Sequence, residues 1–344
     1  MKRPVDSLRL ASFVLLLVLA SCSSAPSATT APESGDAPRT ASPDAAPRDG
    51  GAAERPPAGD GGGEAGNDGG LTPTGATYRD SLSVCWRDPT CVRTMAVGHG
   101  GDWSLSGNPY DSNAALAAAY AGGADGVKID VRVTSDGVPV IAHSSPIEAF
   151  ESLDCYNKKI EEMTAAAVTS CHRLPSKTET FQRLDTVLAY LKGKLTVELT
   201  VKRQVDYAVA IAAVLAAGAE SFAYFEVSTS DLQTLLPPIS GADKVYYLMN
   251  IKALSEVDVL LDTIKNPRAF MYEFDPDVAL ATVLTTRLRP AGIRTFTYIK
   301  SSTVSQAQLA ALYDKGFDVV SSNLVPQTVQ ARIQVNTARG VSPP

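Results

Sequence analysis

The chain has 344 residues, of which 44% are hydrophobic and 20% are charged, and its formal net charge is −6. This composition is that of an ordinary globular protein, and the length fits one large domain or two small ones. The acidic balance and the lack of a basic cluster argue against nucleic-acid binding, which needs a basic surface to neutralise phosphates.

The first 22 residues are a predicted export signal. Lys2 and Arg3 give a charged start, and an apolar run at residues 10–20 follows, which is too short to span a bilayer. Residues 19–22 read Leu-Ala-Ser-Cys, which resembles the lipobox of a bacterial lipoprotein and implies that Cys22 becomes the lipidated first residue. The alternative is a plain secretory signal with an incidental cysteine. We predict an exported protein that is lipid-anchored to the bacterial cell envelope, in the outer membrane because Ser23 follows the cysteine, with its domain in the periplasm or outside the cell.

Residues 23–76 are mostly Ala, Pro, Gly, Ser, Thr and Asp and contain no aromatic side chain. Such a segment buries too little apolar surface to offset its conformational entropy, so we predict a flexible tether. Residues 77–344 are the predicted folded domain, and their number is close to the roughly 250 typical of a (β/α)8 barrel.

Short apolar runs alternate with helical stretches along this domain, which is typical of an α/β fold with a parallel (β/α)8 (TIM) barrel. The eight predicted strands are residues 95–98, 127–133, 195–201, 222–227, 245–249, 270–274, 295–299 and 319–320. The clearest helical stretches are residues 113–121, 206–217, 255–264 and 305–313. A further run at 138–142 follows the turn Ser-Asp-Gly and is predicted to form a hairpin with the second strand. Residues from about 146 to 180 form a long insertion after this hairpin.

Four cysteines remain in the exported part of the chain, and they suggest two disulfides with three possible connectivities. The local pairs Cys85–Cys91 and Cys155–Cys171 close the shortest loops, so we favour them. The second bridge would hold the insertion, and long loops held in this way are more often functional than idle.

Two of the three histidines, His99 and His143, end strand-like runs. The carboxyl ends of barrel strands form the active-site face, and a histidine there is suited to acid or base catalysis near neutral pH. The alternative for each is a hydrogen-bonded structural histidine at a strand end.

Charged side chains interrupt two of the predicted strands. Lys128 and Asp130 alternate with apolar residues and therefore share one face of the second strand. Glu198 lies among apolar neighbours in the third, where an unpaired carboxylate is costly, so it should meet a cation or a metal. The alternative is a structural ion pair of Lys128 with either carboxylate. Further candidates at or near strand ends are Glu226, Glu273 and Lys300.

An ordered set of motifs resembles the glycerophosphodiester phosphodiesterase family. The segments are Val97-Gly98-His99-Gly100-Gly101, Pro109-Tyr110-Asp111-Ser112, Gly123-Ala124-Asp125 with Lys128-Ile129-Asp130-Val131, and Thr134-Ser135-Asp136-Gly137 with Ala142-His143. Later segments, Leu184–Leu188 with Glu198, Thr295-Phe296-Thr297 and Gly316–Asn323, extend the resemblance over about residues 94–326. It implies a (β/α)8 barrel that hydrolyses phosphodiesters, with His99 and His143 as acid and base. It also implies a divalent cation (calcium or magnesium) held by three carboxylates, two of which match Asp130 and Glu198.

The chain departs from the family pattern at five positions. Lys128 replaces the first metal carboxylate of the family pattern, and Gly100 replaces the arginine that binds phosphate. Tyr110 replaces the glutamate of Pro-Glu, and Ser144 replaces the aspartate that follows the second histidine. Thr200 replaces the lysine two positions after the metal glutamate. At an effective dielectric constant of about 20, two like unit charges 4 Å apart repel by roughly 4 kcal/mol, and a divalent ion doubles this. Lys128 therefore disfavours a metal and is expected to pair with Asp130 and Glu198 in its place.

Three functional hypotheses follow. In the first, the positive charge of Lys128 stabilises the developing phosphorane while His99 and His143 transfer protons without a metal. In the second, altered ligands retain the metal and the family reaction. In the third, the barrel is a non-catalytic ligand-binding lipoprotein. The substrate of an active enzyme is a glycerophosphodiester, a lysophospholipid or a wall-derived phosphodiester, and its membrane contact is the lipid anchor.

Overall fold

The computed structural model describes residues 90–341 of the chain, apart from residues 265 and 267. The predicted leader with Cys22, the predicted tether at residues 23–76 and the predicted bridge partner Cys85 lie outside the described residues. Within the described part, no helix is long and apolar enough to cross a membrane.

Ten strands form one sheet. They are β1 (Met95–His99), β2 (Gly126–Val133), β3 (Pro139–Ile141), β4 (Gln182–Arg183), β5 (Thr196–Val201), β6 (Ala223–Ser228), β7 (Tyr246–Asn250), β8 (Ala269–Glu273), β9 (Arg294–Ile299) and β10 (Val319–Ser322). Eight of them are parallel and close into a barrel in the order β1-β2-β5-β6-β7-β8-β9-β10, with β10 paired back to β1. The predicted (β/α)8 barrel and its eight strands are confirmed. The predicted hairpin is confirmed too, because β3 pairs antiparallel with β2.

Most of the α-helices lie between consecutive barrel strands, and the last one follows β10. They are α1 (Asn113–Ala121), α2 (Ala165–Thr169), α3 (Leu184–Leu191), α4 (Tyr207–Ala216), α5 (Leu254–Asp258), α6 (Ala281–Val283), α7 (Gln306–Asp314) and α8 (Val325–Ala338). Ser112 caps α1, and Ser305 with Gln308 forms a capping box at the start of α7. The predicted helix at 255–264 begins as α5 and continues as a π-helical segment over Val259–Ile264.

The alternation along the strands separates a helix-facing layer from the barrel interior. In β2, Val127, Ile129 and Val131 belong to the large apolar cluster between strands and helices, while Lys128 and Asp130 alternate with them. A second cluster of mostly apolar and aromatic side chains fills part of the barrel: Met95, Val97, Tyr224, Leu248, Phe270, Met271, Phe296 and Val319. Burying such side chains stabilises the fold by about 1.5–3 kcal/mol each.

The aspartate of the Gly-Ala-Asp motif has a structural role. Asp125 accepts a hydrogen bond from the Ala96 amide at 2.8 Å and forms a buried ion pair with Arg332 at 3.2 Å. This carboxylate therefore joins the start of β2 to β1 and to α8. The role of Asp125 in the motif is to hold parts of the barrel together.

The insertion after β3 has a small core of its own. Its buried members, with two residues from β3 and the segment after it, are Val140, Ala142, Ile147, Cys155, Ile160, Val168, Cys171 and Phe181. The predicted bridge between Cys155 and Cys171 is present within this core. A bridge that closes a loop of this size stabilises a fold by about 3 kcal/mol, because it restricts the unfolded chain.

Candidate active site

His99, the last residue of β1, is held on both sides of its ring. Its Nδ1 lies 2.9 Å from Asn323 Oδ1 and 3.3 Å from the Tyr298 hydroxyl, and the Tyr298 ring stacks on it with centroids 4.3 Å apart. Its Nε2 lies 3.5 Å from the Tyr110 hydroxyl. Burial, with a smaller effect of the Lys128 ammonium, lowers the pKa of His99 to about 3. The ring is therefore neutral at pH 7.

His143 reaches the same place from the segment that follows β3. Its ring lies edge-on to Tyr110 and Phe150, with centroids 5.7 Å and 5.8 Å away. Its Nδ1 is buried and has no hydrogen-bond partner among the described residues. Burial lowers the pKa of His143 as well. The two predicted catalytic histidines thus flank one tyrosine.

Two lysines share the Asp130 carboxylate. Lys128 Nζ donates to Asp130 Oδ1, Lys202 Nζ lies 2.6 Å from the same oxygen, and the Tyr110 hydroxyl donates to Oδ2 at 3.0 Å. Burial alone would raise the pKa of Asp130, but the two ammonium groups hold it below its usual value. Two cations around one carboxylate leave one net positive charge in this cluster.

Tyr110 occupies room that the neighbouring glycine leaves free. Gly100 has a φ of +73°, and a Cβ at this position would overlap the Tyr110 ring. The family pattern has an arginine and a glutamate at these two positions. Their replacements are therefore coupled in space: the tyrosine ring fills the site only because residue 100 has no side chain.

Carboxylates face the other side of the barrel mouth. Glu198 is buried, and one of its oxygens, Oε2, has no hydrogen-bond partner in the part of the chain that the structure describes. Burial, together with Glu226 and Glu273, raises the pKa of Glu198 well above its usual value. Burial and Glu226 also raise the pKa of Glu273 to about 8. Glu226 accepts a hydrogen bond from the Thr200 hydroxyl at 2.7 Å.

Lys128 therefore pairs with only one of its two predicted partners. Glu198 is its neighbour in the strand register, yet the ammonium is bonded to Asp130. The expectation of one lysine shared by both carboxylates is met for Asp130 and not for Glu198. The ammonium bonds to the carboxylate on its own strand, and Glu198 reduces its charge by favouring the protonated form.

The donor set does not fit the divalent cation that the family resemblance implies. Both oxygens of Asp130 already accept hydrogen bonds, from two ammonium groups and a phenol. Glu198 favours its neutral form, which is a poor metal ligand. Among the described residues, no group of three or more histidine, cysteine, aspartate or glutamate side chains is arranged to hold a metal.

The insertion supports both histidine-bearing segments. Arg173, fully buried, donates to the Tyr110 carbonyl at 2.6 Å and to the Ile141 carbonyl at the end of β3. Glu151 accepts from the His143 amide at 2.9 Å and lies 4.0 Å from Arg173. Ser144, in place of the family's aspartate, also donates to Glu151. This buried pair therefore sets the backbone on each side of the site.

The sequence did not identify four residues as members of the site: Lys202, Tyr110, Arg173 and Asn323. The alternation of β5 contained a signal for the first, because residues 198, 200 and 202 share one face of an extended strand. Asn323 is the last residue of the Gly316–Asn323 segment, which was identified only as part of the family resemblance. Tyr110 lies in the Pro109-Tyr110-Asp111-Ser112 motif, where the sequence identified it only as a departure from the family pattern. Arg173 has no local pattern, because its role depends on contacts between distant segments.

Among the further candidates, Glu226 and Glu273 lie at the site. Lys300 is exposed, and its carbonyl is 3.4 Å from the Asn323 side-chain amide. His172 is exposed as well, and its Nδ1 is 3.0 Å from Asp154 in the insertion.

Comparison with known proteins places this geometry in context. The model of the glycerophosphoryl diester phosphodiesterase family matches residues 105–298, more than half of the chain. No curated protein matches the chain.

Solved structures share the fold. A glycerophosphoryl diester phosphodiesterase from Parabacteroides distasonis is 16% identical, with 76% of this chain and 93% of that chain covered and a TM-score of 0.64. A glycerophosphodiester phosphodiesterase from Agrobacterium tumefaciens is 20% identical, with 69% and 99% covered and a TM-score of 0.56. A phosphodiesterase from Oleispira antarctica, in complex with the product sn-glycerol-3-phosphate, is 19% identical, with 72% and 99% covered and a TM-score of 0.52. At these identities the likeness shows the fold alone.

Proposed function

The chain belongs to the glycerophosphoryl diester phosphodiesterase family, and we propose that it cleaves glycerophosphodiesters or related lipid head groups without a metal. His99 and His143 are the proposed base and acid, and Lys128 takes the place of the family's cation. The observation that carries this proposal is the net positive charge of the Lys128–Asp130–Lys202 cluster beside two neutral histidines.

His99 is suited to accept a proton. Asn323 Oδ1 can only accept a hydrogen bond, so Nδ1 of His99 carries the hydrogen and Nε2 carries the lone pair. The amide orientation agrees with this assignment, because the nitrogen of Asn323 faces the Lys300 carbonyl. The lone pair of Nε2 then points toward the Tyr110 hydroxyl. In our proposal, Nε2 removes the proton from the attacking hydroxyl.

His143 is the proposed acid. Its pKa is lowered in the free protein, and a bound phosphodiester anion would raise it, because an opposite charge favours the imidazolium. A protonated His143 then donates to the oxygen of the leaving alcohol. Removing one member of such an acid–base pair typically lowers the rate by 10²–10⁴-fold.

Lys128 and Lys202 would stabilise the charge that grows on the phosphoryl oxygens. Fixed cations in a site from which water is excluded are effective here, because they need no reorganisation during the reaction. We further propose that a hydroxyl of the substrate beside the phosphate is the nucleophile. Its oxygen bonds to phosphorus, its proton goes to His99, and the head-group alcohol leaves with a proton from His143, so the product is a cyclic phosphodiester.

The substrate class rests on family membership and on one structural relative. The Oleispira phosphodiesterase was solved with sn-glycerol-3-phosphate, and we propose that a glycerol phosphate moiety binds between the histidines of this chain too. The competing hypothesis is a ligand-binding lipoprotein without catalysis, on the same barrel.

The test is cleavage of glycerophosphodiesters and lysophospholipids by the full chain, monitored by ³¹P nuclear magnetic resonance. Assays contain EDTA, or added calcium or magnesium ions. We expect turnover that survives EDTA, forms a cyclic phosphate and is lost in His99→Ala. The control is His172→Ala, which removes an exposed histidine. Turnover only with metal would contradict the mechanism, and no turnover of any substrate would favour the binding protein.

The location of the protein is also a proposal. We propose that Cys22 carries a lipid anchor that holds the domain at the bacterial cell envelope, which would keep the site near lipid head groups. In a bacterial host, the parent should incorporate radiolabelled palmitate, and Cys22→Ser should not. Equal labelling of parent and variant, or no labelling of the parent, would contradict the anchor.

A further inference from the structure

Part of the insertion has its burial pattern reversed. Glu151 and Ser152 are 2% and 0% exposed, whereas the neighbouring Phe150, Leu153 and Tyr156 are 49%, 66% and 58% exposed. In a folded domain, adjacent apolar side chains normally take the buried positions. Here the polar residues face inward, and the large apolar side chains face solvent.

This arrangement is fixed by specific contacts. Glu151 accepts hydrogen bonds from the amides of His143 and Ser144, and the bridge from Cys155 to Cys171 fastens the turn between Leu153 and Tyr156. The exposed side chains are therefore presented by an ordered backbone. Little conformational entropy of the backbone would be lost when they are covered by a partner.

Two more exposed apolar residues lie on neighbouring loops at the same end of the barrel, Leu105 after β1 and Val205 after β5. We call the set Leu105, Phe150, Leu153, Tyr156 and Val205 the apolar rim.

Each segment of the apolar rim is attached to the site. Trp103, two residues before Leu105, donates to the His99 carbonyl at 2.9 Å. The Phe150 ring packs edge-on against His143. On the third segment, Lys202, three residues before Val205, is bonded to Asp130. The apolar rim therefore borders the opening to the catalytic groups.

We propose that the apolar rim docks on a phospholipid membrane with zwitterionic head groups, and that the site takes its phosphodiester from that surface. The second half of this inference rests on the proposed function. An exposed apolar surface of this kind marks a protein or membrane contact. A second copy of the chain or another protein on the rim would cover the mouth, whereas a bilayer brings substrate to it.

The charge of the insertion selects the type of lipid. Residues 144–180 contain six acidic and four basic residues, so they carry no basic excess to attract an anionic surface. Binding must then come from apolar side chains that enter the interface. The expected substrates are phospholipids or lysophospholipids within the membrane, in preference to free glycerophosphodiesters.

The test uses the full chain with Cys22→Ser, so that no lipid anchor contributes, and vesicles of phosphatidylcholine that contain lysophosphatidylcholine. The test variant is Leu153→Ser/Tyr156→Ser. The matched control is Val92→Ser/Ile333→Ser, which removes two exposed apolar side chains before β1 and on α8. We expect the test variant to bind vesicles at least about tenfold more weakly and the control to bind as the parent does.

A local probe removes any contribution from the apolar leader. Leu153→Trp fluorescence should be quenched by vesicles of brominated phosphatidylcholine, and Ile333→Trp fluorescence should not. Equal quenching of both, or equal vesicle binding by test variant and parent, would overturn the proposal. A dimer of the parent that dissociates in Leu153→Ser/Tyr156→Ser would overturn it in favour of a second copy.

Rates of cleavage of a soluble and a membrane-bound substrate distinguish this inference from the proposed function. If both hold, the test variant keeps the parent's kcat/KM on soluble glycerophosphocholine and loses about tenfold or more on lysophosphatidylcholine in vesicles. Turnover of the soluble substrate without vesicle binding would overturn the docking surface and leave the proposed function intact. Vesicle binding without any turnover would support the docking surface and contradict the proposed function.

Discussion

The two sides of the barrel mouth carry acidic groups in opposite states. On β2, Asp130 is surrounded by Lys128, Lys202 and Tyr110, and its pKa is lowered. On β5, Glu198 is also buried, yet one of its oxygens has no hydrogen-bond partner within residues 90–341 as described, and the pKa of Glu198 is raised well above the usual value. Two carboxylates that match metal ligands in the family pattern thus differ in charge.

The difference shows that an ammonium is not a simple substitute for a divalent cation. A metal ion accepts several carboxylates at once, whereas the Lys128 ammonium is bonded to one of them. The other carboxylate is then left among Glu226 and Glu273, and it reduces the repulsion by binding a proton. One half of the mouth is cationic, and in the other half Glu198 and Glu273 favour their neutral forms.

The largest expected effect is a difference in the free energy of unfolding between variants of the two carboxylates. Asp130→Asn leaves two ammonium groups without their counter-charge, so the free energy of unfolding should fall by about 3–5 kcal/mol. Glu198→Gln, its matched control, replaces a protonated carboxyl by a neutral amide and should change the stability by less than about 1 kcal/mol at pH 7. Urea unfolding at pH 7 measures both. Equal losses would contradict the assigned charge states.

Activity should depend on the cationic half. Lys128→Met removes the ammonium with the larger effect on His99, and we expect phosphodiester cleavage to fall by about 10²–10³-fold. Lys192→Met, which removes an exposed lysine at the end of α3, should leave the rate unchanged. Rates with and without calcium or magnesium ions complete the assay. Recovery of Lys128→Met by added metal would indicate that the lysine only blocks a metal site.

The second lysine should contribute less, because it is partly exposed. Lys202 is 22% exposed, so solvent screens its charge more than that of Lys128. We expect Lys202→Gln to lower kcat/KM by about tenfold and to weaken its dependence on salt concentration. Steady-state assays at low and high salt provide the measurement. A loss as large as that of Lys128→Met would mean that Lys202 is the main cation for phosphate.

The smallest effect concerns pH and the acidic half. The pKa of Glu273 is about 8 in the folded protein and 4.5 as its reference value, so the folded state binds more protons between these values. Its contribution to stability is complete below about pH 4.5 and is lost as the pH rises through 8.

Glu273→Gln cannot ionise and should depend less on pH. From pH 5 to pH 8, the parent should lose at least about 1.4 kcal/mol more stability than Glu273→Gln, the equivalent of one pKa unit. Glu198 and Asp111, whose pKa values are also raised by burial, contribute to the slope that remains. Urea unfolding at both pH values is the measurement. Parallel pH dependence of parent and variant would contradict the raised pKa of Glu273.

Much of this protein was accessible from local sequence patterns. Period-two alternation in β2 identified the interior face of Lys128 and Asp130, and the ends of strand-like runs located His99 and His143. The short loop between Cys155 and Cys171 indicated their bridge. Each of these features depends on residues that are close in sequence, where geometry follows directly from the strand or the loop.

The tertiary structure decided which groups meet. The contact of Tyr110 with both histidines, the approach of Lys202 to Asp130 and the reach of Arg173 from the insertion all join segments that are distant in sequence. Such contacts depend on strand register and loop path, and composition or spacing does not encode either. The sequence by itself therefore determined the barrel and its charged interior. The fold decided that Asp130 is saturated by cations while Glu198 holds a proton, because the charge state of a buried carboxylate is set by its neighbours in space.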